Sequence, residues 1–136
     1  MISGDIANTG SPEEYATAKR FLEGLSEAIA KHRPGAHIRY LSIPGNHDCY
    51  LPETETGLRA VLVAGIQSTF QTDTPDESIL GSLLDKQQNY FEFQRQLGQG
   101  VNTVIEKLFR LSVLDIGGFR IQFALYNRVT STTGTS

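Results

Sequence analysis

Tryptophan is absent from this chain of 136 residues, and cysteine and methionine occur once each. A lone Cys49 excludes an internal disulfide framework and fits a reducing compartment. Basic runs are lacking too. The one adjacent Lys/Arg pair is Lys19-Arg20, and 12 Lys and Arg stand against 15 Asp and Glu, a formal net charge of −3. A protein that holds nucleic acid by neutralising phosphates needs a dense cationic stripe, so no nucleic-acid footprint is read here. No long hydrophobic run exists. The longest, residues 60–66, falls far short of the ~20 residues of a membrane span. The N-terminus has neither a basic segment nor an apolar run, so no secretion signal is expected. These absences together lead to the expectation of a soluble, cytoplasmic protein without a membrane partner.

What is present is a globular composition, 39% apolar and 20% charged, not a disordered one. The length bounds the chain to one domain. A chain of this size can bury about two thirds of its unfolded surface, enough for a core.

Ser11-Pro12-Glu13-Glu14 is a helix start. Ser11 suits the N-cap, Pro12 the first helical position, and Glu14 completes a capping box. Tyr15, Ala18, Leu22, Leu25 and Ile29 then recur at spacings of three and four, widened by Phe21 and Ala28. This pattern predicts an amphipathic helix over 12–32, ended by Arg33-Pro34-Gly35. Residues 37–43 are β-rich and closed by Pro44-Gly45, and residues 1–3 fit the end of an earlier strand. Strand, helix, strand is a βαβ unit with parallel strands. Gly4-Asp5 and Gly45-Asn46-His47-Asp48 then lie at the carboxyl edge of one sheet, where open α/β sheets place ligands. From 57 to 109 the pattern is helical, with breaks at Gly98 and Gly100. Two β-type runs around Gly117-Gly118 form a hairpin signal. Residues 130–136 are Thr, Ser and Gly alone and read as a flexible tail.

Gly45-Asn46-His47-Asp48 is the most informative tetrapeptide. At typical composition it arises by chance in roughly one chain in a few thousand of this length. Together with Gly4-Asp5 one βαβ unit earlier, it resembles the motifs of the calcineurin-like metallophosphoesterases. The run Ile2 to Tyr15 resembles that family's usual sequence after its Gly-Asp motif. The resemblance covers residues 1–50, and beyond them only the hairpin ending near Asn127.

The resemblance implies an α/β fold, part of a calcineurin-like phosphoesterase sandwich, with a βαβ unit, a helical insertion and a C-terminal hairpin. It implies a metal-dependent hydrolase that cleaves phosphomonoesters or phosphodiesters with two divalent ions of Mn, Fe, Zn or Mg type. Two-metal hydrolysis needs cations about 3.5–4 Å apart, and a bridging carboxylate offsets their repulsion. By resemblance Asp5 takes that role and Asn46 is a neutral oxygen ligand. His47 faces the phosphate, Asp48 orients His47, and Gly4 and Gly45 let the backbone approach the metals. Cys49 lies two residues from His47, but no acid partner or oxyanion donor for a cysteine nucleophile is visible.

Two of the family's motifs have no counterpart. The sequence contains no Asp-x-His, and no His follows His47. Asp5 and Asn46 alone cannot hold a binuclear centre. The chain is therefore expected to be a partial domain, 1–136, of a larger multidomain metallophosphoesterase, inactive by itself. In that domain 57–109 forms a cap over the active edge or extra packing against the sheet. The alternative is a non-catalytic remnant or interaction module that keeps the scaffold.

Overall fold

Ile2–Ser3 forms strand β1, Pro12–His32 helix α1 and Ser42–Ile43 strand β2, and β1 and β2 pair in parallel with Ile2 opposite Ser42. The computed structural model describes residues 1–45, 47–50, 57, 61 and 77–127. Helices α2 (Glu77–Asp85), α3 (Gln88–Gln96) and α4 (Val104–Leu108) lead into β3 (Phe109–Ile116) and β4 (Phe119–Tyr126). The two long strands form a separate antiparallel hairpin sheet. Gly117 and Gly118 both have positive φ, 56° and 85°, the two-residue turn whose twist matches the flanking strands. The chain is thus a small α/β domain of mixed helix and strand.

The βαβ reading holds, with shorter strands than the β-rich run 37–43 predicts. A ladder needs a partner, and β1 offers two residues. Ile2 N–H donates to Leu41 O at 2.8 Å, and pairing stops at Ile43. The backbone groups of Ser42 that face away from β1 meet side chains instead of a strand. Ser42 N–H donates to Gln99 Oε1 at 3.3 Å, and Gln94 Nε2 donates to Ser42 O at 2.9 Å. Tyr90 completes the cover by donating its hydroxyl to Ser42 Oγ at 2.9 Å.

The sequence-predicted helix 12–32 starts and stops as its capping residues require. Ser11 Oγ accepts from Glu14 N–H at 3.4 Å, and the Glu14 carboxylate accepts from Ser11 N–H at 3.1 Å. Its apolar stripe is covered at Tyr15 and Leu22. Phe21 is 70% exposed and Leu25 41% exposed. Both line an open apolar cleft of about 1020 Å³ with Met1, Ile2 and Tyr40. Periodicity identifies the face of a helix but not whether a neighbour covers it.

The core joins α1 to α3. Tyr15, Leu22, Tyr90, Phe91, Phe93, Leu84 and Ala7 form one buried cluster. The Tyr15 ring lies 5.3 Å from Phe93 and edge-on to Tyr90 at 6.2 Å. Within the predicted helical block, α3 therefore serves as packing. Residues 51–56, 58–60 and 62–76, which hold Leu58, Leu62 and Ile66, lie outside the described residues, as does the tail 130–136.

The two capping glutamates carry a pH signature. Backbone donation from Thr9 first, then from Ser11 and Asn8, holds the Glu14 carboxyl below the ordinary glutamate range. Donation from Asn102 and Thr103 does the same for Glu106 in the second capping box, at Thr103. A lowered folded-state value means stability that is fully present above the unfolded value of about 4.3 and is lost as pH falls through the folded one. A Glu14→Gln/Glu106→Gln chain should therefore lose less stability between about pH 5 and pH 3 than the parent, as read from urea midpoints.

Candidate active site at the β1–β2 edge

The site is built where β1 and β2 end side by side. Gly4 leaves β1 with φ +97°, and Asp5 follows with φ +53°, the one non-glycine residue of positive φ among the described residues. Aspartate tolerates this left-handed region better than most side chains, at a cost of about 1 kcal/mol. β2 runs into Pro44-Gly45. A Cβ on Gly4 would stand 2.9 Å from Gly45 Cα, and a Cβ on Gly45 would stand 2.5 Å from Asp5 N and closer still to the Asp5 carboxylate. The close backbone approach expected of these glycines is thus between the two loops themselves.

Asp48 holds them together from beneath. Its side chain is fully buried. Its carboxylate accepts from Gly45 N–H at 2.8 Å, Ala7 N–H at 3.1 Å, Ile6 N–H at 3.4 Å and the Tyr15 hydroxyl at 2.8 Å. Burial first, and the Asp48 charge second, push the Tyr15 phenol well above its ordinary range, so it stays a donor. This corrects the role read from sequence. Asp48 does not orient the His47 ring, because its acceptor capacity goes to the backbone of both loops and to Tyr15.

Above this buried bracket lies an exposed layer of Asp5, Asn8 and His47. His47 N–H donates to Asp5 Oδ1 at 3.1 Å across a sequence separation of 42. The His47 ring turns to the other loop, with Nδ1 3.0 Å from Asn8 O. A carbonyl oxygen can only accept, so Nδ1 carries a proton and Nε2 is the nitrogen left for chemistry.

The structure therefore brings Asp5, His47 and Asp48 together. Asn46 lies outside the described residues. A carboxylate has two oxygens, so Asp5 keeps ligand capacity after accepting one hydrogen bond. A two-metal centre asks for more. Among the described residues no group of three or more His, Cys, Asp or Glu could hold a metal ion. These residues alone do not fit a complete binuclear centre. No helix among the described residues is long and apolar enough to cross a membrane.

Three participants escape a motif search. Tyr15 reads as one more position of the apolar stripe, yet its hydroxyl reaches the Asp48 carboxylate. Asn8 acts through its backbone carbonyl, which carries no residue signature. Glu14 is legible as a capping residue, but not its reach to Asn8 and Thr9.

Comparisons with protein-family models, with curated proteins and with solved structures return no match.

Proposed function

We propose that this edge is part of a calcineurin-like metallophosphoesterase site, in a sandwich to which the β1–β2 pair contributes, acting on phosphomonoesters or phosphodiesters. The observation that carries the reading is the His47 amide bound to the Asp5 carboxylate at 3.1 Å, which closes two motifs 42 positions apart onto one sheet edge. On this reading Asp5 and Asn46 are metal ligands, His47 Nε2 faces the phosphoryl group, and Asp48 sets the spacing of the two loops. A metal pair held there with further ligands would supply Lewis-acid activation of water and of the phosphoryl group. The low cationic content favours a compact phosphate ester over a long nucleic acid. Asp5 and Asn46 are too few to hold two ions tightly, so in Mn²⁺ this chain should cleave a chromogenic phosphodiester no faster than buffer does.

Mn²⁺ titrated into the ¹⁵N-labelled chain should broaden the Asp5 and His47 amide signals before those of α3, with an affinity no tighter than about millimolar. The broadening should vanish in Asp5→Asn. Broadening centred elsewhere, or unchanged in Asp5→Asn, contradicts the reading and leaves the non-catalytic scaffold.

A further inference from the structure

We propose that Glu14 is a positioning residue for His47, acting through the Asn8–Thr9 peptide. The inference rests on the phosphoesterase reading for what His47 does, and on the structure for where its proton sits. The Glu14 carboxylate gathers the loop before α1. It accepts from Asn8 N–H at 3.2 Å, Thr9 N–H at 3.0 Å, the Thr9 hydroxyl at 2.9 Å and Ser11 N–H at 3.1 Å. Thr9 N–H and Asn8 C=O belong to one planar trans peptide and point in opposite directions. Glu14 holds the amide side of that plane. The carbonyl side meets His47 Nδ1 at 3.0 Å. With the plane fixed from one side, the carbonyl cannot turn away from the imidazole. His47 is thereby kept in the Nδ1–H tautomer with Nε2 presented outward. Helix capping alone would need only the Ser11 contact. The three contacts to Asn8 and Thr9 reach past the cap and onto the peptide that holds the ring.

The test reads the tautomer, not turnover. The chain has three histidines, so a long-range ¹H–¹⁵N spectrum at a pH where all are neutral resolves each ring, with His32 and His37 as internal references. The parent should show His47 mainly as the Nδ1–H form. Glu14→Ala should shift its tautomer ratio about fivefold toward that of the references, the factor that one ordinary hydrogen bond confers. Ser11→Ala removes the helix cap but leaves the carboxylate on Asn8 and Thr9, and should leave the His47 ratio unchanged. Glu14→Gln keeps one acceptor oxygen and should shift the ratio in the same direction by less; it decides the matter if circular dichroism shows Glu14→Ala unfolded. An unchanged His47 ratio in the Glu14 variants overturns the proposal. So does a Ser11→Ala shift as large as that of Glu14→Ala, since Glu14 would then act only through the helix. A tautomer shift without Mn²⁺ broadening at Asp5 supports the positioning role and counts against the phosphoesterase reading, so the two fail separately.

Discussion

Replacing Asp48 by alanine should lower folding stability by at least about 3 kcal/mol, a large share of the roughly 5–15 kcal/mol of a typical domain. Gly45 N–H, Ala7 N–H, Ile6 N–H and the Tyr15 hydroxyl all end on this one buried carboxylate. Alanine leaves the three amides without an acceptor and the Tyr15 hydroxyl with only the Asp48 backbone oxygen, 3.3 Å away, and a buried donor left unmade costs about 1–3 kcal/mol. Asp48→Asn separates charge from shape. Its oxygen can still serve one side of the bracket, but its NH₂ would then face other donors. Its loss should be smaller than that of Asp48→Ala, about 2 kcal/mol. Tyr15→Phe, which removes one donor and leaves the acceptor, should cost about 1 kcal/mol. Urea unfolding measures the series, and the account requires the order Asp48→Ala, Asp48→Asn, Tyr15→Phe. Equal losses for Asp48→Ala and Tyr15→Phe would mean that the carboxylate does not bridge the loops.

The second large effect is steric. Gly45→Ala should cost about 2 kcal/mol or more and displace Asp5 from His47. Gly45 does not have a left-handed φ, so strain of its own backbone is not the cause. The added Cβ would stand 2.5 Å from Asp5 N, and a backbone atom cannot rotate out of the way. One loop must move, and the His47 amide loses its acceptor. Gly24, in the exposed middle of α1, is the control. Nothing lies within 4 Å of a Cβ there, so Gly24→Ala should stabilise the chain by about 0.5–1 kcal/mol through helix propensity. The opposite signs of two Gly→Ala changes, read from melting temperatures, test whether the contact between the loops is as tight as described.

Local rules made much of this fold legible in the sequence. The Ser11/Glu14 box and the Gly117-Gly118 turn depend on a few neighbouring residues whose side-chain chemistry dictates the backbone. Helix α1 and the hairpin therefore lie where those residues place them. The meeting of Gly4-Asp5 with His47-Asp48 was also legible, because a βαβ unit puts both strand ends at one edge. Features that depend on what packs against an element were not. Residues 37–41 have β propensity but lack a long partner strand. Phe21 and Leu25 lie on the apolar face of α1, yet the described residues leave them exposed. Asp48 was misread because its partners are mainly backbone amides. An aspartate that braces a loop and one that orients a histidine have the same sequence signature.

Two segments about 42 residues apart close on each other through carboxylates that accept backbone amides. Scalar coupling across hydrogen bonds measures this directly. In a uniformly ¹³C,¹⁵N-labelled chain, the His47 amide nitrogen should correlate with the Asp5 carboxylate carbon, and the Ala7 amide nitrogen with the Asp48 carboxylate carbon. Both amides should also exchange slowly with solvent. Absent correlations together with unprotected amides at Ala7 and His47 would contradict this closure, because the two motifs would then share a sequence pattern without sharing a site.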